Sequence, residues 1–240
     1  MKQQMLYHEL AKYYDLIYSK KKYKKESEIL KRIISTYKKS KGRELLDVAC
    51  GTGQHLKYLK KHFSCTGIDI NKEILDIARK KVKGVTYKQA DMTAFKLKKK
   101  FDVVLCLFSS IGYAKTYSNL KKTINNFSNH LKKGGVVIIE PWLQKDAFKK
   151  GTPWAELYEE ENLKVTRVST TKIKEKISVI EMHYLIAEKG KDIKHFTDYH
   201  KLGLFKINKT LEFMKDAGLK SKYLKRGLKK QRGLYIGVKE

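Results

Sequence analysis

Between about residues 43 and 140 the chain alternates two hydrophobic rhythms. Short, largely apolar runs occupy residues 45–49, 65–70, 85–91, 101–108 and 136–140. Runs of that length read as strands, and the most apolar of them as strands buried on both faces. Between them apolar residues recur every three or four positions, as on one face of a helix. Leu56 and Leu59 do so after His55. Ile74, Leu75, Ala78 and Val82 follow Asn71, a candidate helix cap. Leu120, Ile124, Phe127 and Leu131 precede Gly134-Gly135, a candidate helix stop. Regular alternation of strand and helix predicts a parallel sheet with helices on both faces.

The flanks differ. Two amphipathic stretches open the chain, the second carrying Ile29, Leu30, Ile33, Ile34 and Tyr37 at helical spacing. From residue 163 to about 205, apolar and polar residues alternate with no helical period, and Gly190 supplies a turn. That pattern predicts an antiparallel meander of about three strands. A helix over residues 209–217, with Leu211, Phe213 and Met214 inward and Gly218 as its stop, and two strands, "KSKYLKR" and "GLYIGV", complete the pattern. The meander reads as an insertion at residues 149–205, the main domain being residues 1–148 and 206–240.

Composition narrows the class. Of 240 residues, 41% are hydrophobic and 33% charged, enough for a packed core and against wholesale disorder. No apolar stretch approaches the roughly 20 residues of a membrane span, and the start does not lead into an apolar signal region. Cys50, Cys65 and Cys106 are odd in number, lie in or beside apolar runs, and read as reduced thiols of a cytoplasmic protein. The net charge of +29 raises the question of a polyanionic partner. Most of the excess is lysine spread over nearly every segment, as in "SKKKYKKE", "KLKKK" and "RGLKKQR". A solvated surface is the leading reading, then an anionic small-molecule substrate, then nucleic acid.

The chemistry gathers after the first strand. Gly51 and Gly53 stand where the backbone has to approach a ligand that a Cβ would exclude. The dinucleotide fingerprint needs a third glycine, and Leu56 occupies its place. An adenosine ligand without a pyrophosphate fits better, and an NAD-dependent dehydrogenase is disfavoured. Asp69, ending the second strand, is placed to accept from both ribose hydroxyls. Asp47 adds a carboxylate suited to an ammonium group.

"LLDVACGTG" followed in order by "GIDI", "QADM", "FDVVLCLFSSIGY" and "LKKGGVVIIEPW" resembles the class I S-adenosylmethionine-dependent methyltransferases. The resemblance implies a Rossmann-like, seven-stranded, mostly parallel sheet. It implies S-adenosylmethionine as cofactor, with Ala49, Gly51 and Gly53 against its methionine part, Asp69 on the ribose and Ile70 on the adenine. Asp91 would accept from the adenine amino group, or else serve only as a turn residue, with the backbone of Met92 beside it. Leu107 and Phe108 would line the floor below the sulfonium. Asp102 reads as a structural cap.

The likeness extends to "YYDLIY", "FSSIGY", "EPW", "IEMHYLI", "HFTDYHKLGLF" and "RGLYIGV", which are similar to the N,N-dimethyltransferases of nucleotide-linked amino deoxysugars. That group implies stepwise methylation of an amine by proximity. Tyr14, at the mouth and against the cofactor, and Tyr113 become the candidate catalytic residues. Tyr113 stands where some members carry histidine, so the resemblance favours positioning over a dedicated base. Glu140 and Trp142 would lie beside the amine, His200 would contact substrate, with His183 and His195 as weaker candidates, and Arg232 would hold the pyrophosphate. His55 and His130 read as structural. No metal is expected, and a homodimer fits the group. The competing readings are a methyltransferase acting on RNA or another macromolecule, and a non-catalytic binding protein that keeps the fold.

Overall fold

The computed structural model describes residues 4–143, 151–229 and 232–240. The apolar run after Gly42 forms β1 (Glu44–Val48), buried at its last four positions. A strand buried on both faces belongs inside a sheet. β1 pairs in parallel with β2 (Ser64–Asp69) on one side and with β4 (Phe101–Cys106) on the other. Beyond β2 lies β3 (Thr86–Gln89), and beyond β4 lies β5 (Leu131–Ile139), both parallel. The closing strands β10 (Leu219–Lys229) and β11 (Arg232–Lys239) return antiparallel, giving the order β10-β11-β5-β4-β1-β2-β3. This is the expected seven-stranded, mostly parallel sheet. The chain runs outward from β1 to β3 and then crosses back to β4. That reversal opens a crevice beyond the carboxyl ends of β1 and β4.

Helices cover both faces because successive strand residues point to opposite sides. Leu45, Val103, Leu105, Val136 and Ile138 cluster with Leu30 and Ile34 of α2 (Tyr23–Tyr37) and Leu56 and Leu59 of α3 (Leu56–Leu59). Their sequence neighbours Leu46, Val104, Val137 and Ile139 cluster with Leu120, Ile124 and Phe127 of α5 (Tyr117–Asn129) and Phe213 and Met214 of α6 (Ile207–Asp216). Among the described residues, no helix is long and apolar enough to cross a membrane.

Two expectations about helix ends are corrected. α5 stops before Leu131, which already pairs with Phe101 as the first residue of β5. The His130 ring ends the helix: Nδ1 lies 2.8 Å from the Asn126 carbonyl, and Nε2 accepts from Leu97 N–H at 3.0 Å. Gly134-Gly135 therefore punctuates a strand. A Cβ on Gly134 would lie 2.9 Å from Ser40 N, and the Gly134 carbonyl accepts from Lys39 and Ser40, so the pair lets residues 39–40 approach. Asn71 occupies the cap position of α4 (Lys72–Lys81) without a capping side-chain bond; its N–H groups are turned to Asp69.

The expected three-stranded meander is β7 (Leu163–Lys174), β8 (Ile177–Glu188) and β9 (Lys194–Gly203), and β6 (Trp154–Glu160), ahead of it, adds a fourth strand to this separate antiparallel sheet. β6 escapes a hydrophobic reading because it carries Glu156, Glu159 and Glu160 and buries only Tyr158. The expected boundary at residues 148–149 lies outside the described residues. The first amphipathic stretch is not one helix. It forms 3-10 turns at Met5–Tyr7 and Ala11–Tyr13 and a single turn α1 (Tyr14–Ile17). Its Leu6, Leu10, Tyr13 and Ile17 pack with Tyr158, Val165, Met182 and Tyr184 of the second sheet and Ile74 of α4. This segment binds the two sheets together.

Candidate active site

A cavity of about 1110 Å³ lies between the crevice and the inner face of the second sheet. On the first-sheet side its wall begins with the turn after β1, where Ala49, Gly51 and Gly53 all take positive φ. Asp69 stitches this turn to the end of β2: Oδ2 accepts from Gly51 N–H at 3.0 Å and Oδ1 from Asn71 N–H at 3.0 Å. Burial pushes the Asp69 carboxyl up, and the Asn71 and Gly51 N–H groups oppose that shift. Asp47, 2% exposed, is pushed up to about 8 by burial and by the nearby Asp69 charge. The buried pair suits a positively charged group. Ile70, 57% exposed, offers an apolar platform at the rim, and Leu107 and Phe108 line the wall beyond β4.

These features answer the requirements of S-adenosylmethionine: carboxylates for its hydroxyls and positive groups, a side-chain-free turn, and an apolar face for adenine. Asp91 and Met92 also line the cavity. Asp91 Oδ1 accepts from the N–H and hydroxyl of Thr93 at 2.7 and 2.8 Å, so it serves as a turn residue as well as facing the cavity. Two expected residues are absent from the lining. Gly53 sits behind the wall, where a Cβ would lie 2.8 Å from the Tyr87 hydroxyl. Glu140 is fully buried and accepts from Phe108 N–H at 2.7 Å. Asp102 is structural as expected, accepting from Gly42 N–H, Glu44 N–H and Lys132.

The same cavity is lined by the remaining candidates. Arg232, at the start of β11, donates to Ser109 Oγ at 2.8 Å and lies 4.9 Å over the Trp142 ring. Ser109 donates in turn to the Pro141 carbonyl at 2.9 Å. Phe108 and Ser109 are consecutive non-glycine residues at positive φ, a strained pair held by these bonds and by Glu140. Tyr14 and Tyr113 both line the cavity, and burial raises both phenols well above the usual tyrosine range. Tyr113 Oη lies 2.5 Å from His200 Nδ1 and 2.8 Å from Tyr7 Oη, and His200 Nε2 lies 2.8 Å from Asp198 Oδ2.

Register separates the three insertion histidines. Met182, His200 and Leu202 lie on the inner face, whereas His183 and His195 stack together on the outer one, 3.0 Å apart at their nearest nitrogens and outside the cavity lining. Sequence reasoning missed two groups on the cavity wall. Arg167 of β7 binds Glu156 and the Tyr158 hydroxyl. Lys21, Glu26 and His55 form a buried polar cluster in which Lys21 Nζ and His55 Nε2 both contact the Glu26 carboxylate. The second carried a signal: Glu26 continues the buried stripe of Leu30 and Ile34 on α2.

Residues 45–135 match a model described as a methyltransferase domain. The chain is 36% identical, over 95% of its length and 97% of the relative's, to dTDP-3-amino-3,4,6-trideoxy-alpha-D-glucopyranose N,N-dimethyltransferase of Streptomyces venezuelae. Among solved structures it superimposes on Streptomyces venezuelae DesVI with a TM-score of 0.90 at 35% identity, covering 96% of this chain and 98% of that one. It superimposes on S-adenosylmethionine-bound CalS10, an amino pentose methyltransferase from Micromonospora echinaspora, with a TM-score of 0.82 at 28% identity and 92% of each chain covered. With the glycine turn, the Asp69 clasp and the roofed cavity already in place, the chain belongs to the class I S-adenosylmethionine-dependent methyltransferases, in the family of the amino-sugar N,N-dimethyltransferases.

Proposed function

We propose that the protein N-methylates, once and then again, the amine of a nucleotide-linked amino deoxysugar. The observation that carries this reading is one cavity lined by two unlike sets of residues: Asp47, Gly51, Asp69 and Ile70, and Arg232, Trp142 and the Tyr113–His200 pair. Its volume exceeds the roughly 300–1,000 Å³ of a typical one-ligand pocket, which suits two ligands meeting inside. A roofed cavity also favours a small acceptor over a macromolecular one.

S-adenosylmethionine supplies a methyl group already activated by a positively charged sulfur. The protein's work is therefore alignment. Asp69, Ile70 and Asp91 fix the adenosine end, and the glycine turn with Asp47 receives the methionine end. Arg232, braced by Ser109 and Trp142, holds the anionic phosphates through its forked guanidinium. Tyr14, Trp142 and the Tyr113–His200 pair orient the amine, while Leu107 and Phe108 exclude water. The three free thiols Cys50, Cys65 and Cys106 fit a reducing compartment, and we place the protein in the cytoplasm.

The test is mass spectrometry of a panel of nucleotide-linked 3- and 4-aminodeoxysugars incubated with the protein and S-adenosylmethionine. Gain of one methyl and then a second is expected. No gain on any member, with cofactor binding measured in the same sample, overturns the acceptor assignment.

A further inference from the structure

We propose that Tyr113, His200 and Asp198 form a proton relay that drains the substrate nitrogen before and between methyl transfers. The inference rests on the reading of the cavity as an amine-methylating site. An alkyl amine reaches neutral solution mostly as its ammonium ion and attacks only with a free lone pair. Each transfer leaves the nitrogen positively charged again. A site that methylates twice has to remove a proton each time, inside a cavity roofed by the second sheet.

The arrangement supplies a direction for that proton. Asp198 is fully buried and its Oδ2 also accepts from Leu6 N–H at 2.9 Å. Burial raises its pKa, but the hydrogen bonds from His200 and from Leu6 N–H outweigh that and hold it below the usual aspartate range. A carboxylate only accepts, so His200 Nε2 carries the hydrogen and Nδ1 presents its lone pair to Tyr113 Oη. Gln4 Nε2 reaches the same Nδ1 at the longer distance of 3.4 Å. Tyr113 then donates to His200 and accepts from Tyr7, which leaves one acceptor position on Oη. Burial, with the neighbouring Tyr18, Tyr14 and Asp198, disfavours a Tyr113 phenolate. The phenol therefore passes a proton on as it receives one.

The titratable groups around His200 and its partner Tyr113 come from four directions: Tyr7 on the N-terminal turn, Tyr14 and Tyr18 on and after α1 near Tyr113, Tyr113 itself on the turn at Ser110–Ala114, and Asp198 on β9. Its cross-strand neighbour on β8 is the apolar Ile180. The step balances as follows. The nitrogen lone pair forms the bond to the methyl carbon as the carbon–sulfur bond breaks, leaving a neutral thioether and an ammonium. One N–H proton passes to Tyr113 Oη while the phenolic proton passes to His200 Nδ1. The imidazolium is held by Asp198 and releases its proton to water when the cavity opens. Tyr113 touches the amine and is the catalytic member; His200 and Asp198 are positioning residues.

The test removes one hydroxyl and keeps the ring. Tyr113→Phe is expected to lower kcat about 100-fold near pH 7 with KM changed less than about threefold, a loss within the usual range for a proton-transfer group. The deficit shrinks as pH rises through the pKa of the substrate ammonium, because solvent then supplies the free amine. The monomethyl product accumulates. His200→Gln repeats this pH pattern if it folds. Independently of turnover, 15N NMR of the wild type is expected to show His200 protonated on Nε2 and bare on Nδ1. A deficit that is absent or pH-independent, or a protonated Nδ1, overturns the relay. Failure of the wild type to methylate any amino sugar overturns the acceptor assignment instead, and the relay with it, a result recognisable because it appears before any variant is made.

Discussion

The two walls of the cavity are built by opposite rules. On the first-sheet side the features stand at strand ends, where one short stretch of chain sets both backbone and side chains. Gly51 N–H and Asn71 N–H meet the Asp69 carboxylate, and the positive φ of Ala49, Gly51 and Gly53 shapes the turn. On the second-sheet side they stand along strand faces, where the two-residue period decides which side chains see the cavity. His200 and Leu202 line it while Thr197 and Tyr199 lie on the opposite face. The first wall is a local device; the second depends on register and on the N-terminal segment that binds the sheets together.

The sharpest tests separate the cofactor contacts from the substrate contacts. Asp69→Ala removes the acceptor that clasps Gly51 and Asn71. Hydrogen bonds to a charged group contribute roughly 1.5–3 kcal/mol each, so cofactor affinity is expected to fall about 100-fold or more by calorimetry, with nucleotide binding little changed. Arg232→Ala is expected to do the reverse, raising KM for the sugar substrate by about 10- to 100-fold and sparing cofactor affinity. Arg232→Lys is not expected to rescue it, because the Ser109 bond and the stack on Trp142 both use the planar guanidinium.

Asp47 gives a subtler probe of the first wall. Its carboxyl is raised to about 8 in the free protein against a usual value near 3.9. The folded state then holds a proton that the unfolded chain releases. The stability this contributes is complete below pH ~4 and is lost as pH rises towards about 8. A bound cation favours the ionised form, so cofactor binding near pH 7 is expected to release part of a proton. Calorimetry in two buffers of different ionisation enthalpy reads that release, and Asp47→Asn is expected to abolish it. The smallest effect tests register: His183→Ala, on the outer face, is expected to leave kcat/KM within about twofold.

Much of the first wall was legible in the sequence. A buried strand needs an apolar run, a tight turn needs glycine, and a carboxylate at the next strand end follows within 20 residues, so Asp47, Gly51 and Asp69 announced themselves by local chemistry, while Ile70 came from the resemblance. The seven strands were legible for the same reason. Local pattern failed where distant residues decide. The His130 ring, by binding Asn126 and Leu97, ends α5 before the helical period of Leu131 would. β6 pairs with β7 despite three glutamates, because Tyr158 alone needs burial on that strand. Gly134 looked like a helix stop and instead admits residues 39–40.

What the sequence determined by itself was the sheet, its helices and the cofactor-side turn, since each follows from hydrophobic period and backbone freedom within one stretch of chain. What only the tertiary structure decided was the far wall. Local pattern alone does not separate His200 from His183; only the resemblance ranked His200 first. Strand register, and the burial of Asp198 under the turn at Leu6, put one beside Tyr113 and left the other on the outer face. Contacts between residues a hundred or more apart, such as Arg232 with Ser109 and Tyr7 with Tyr113, exist only once distant segments of the chain fold together.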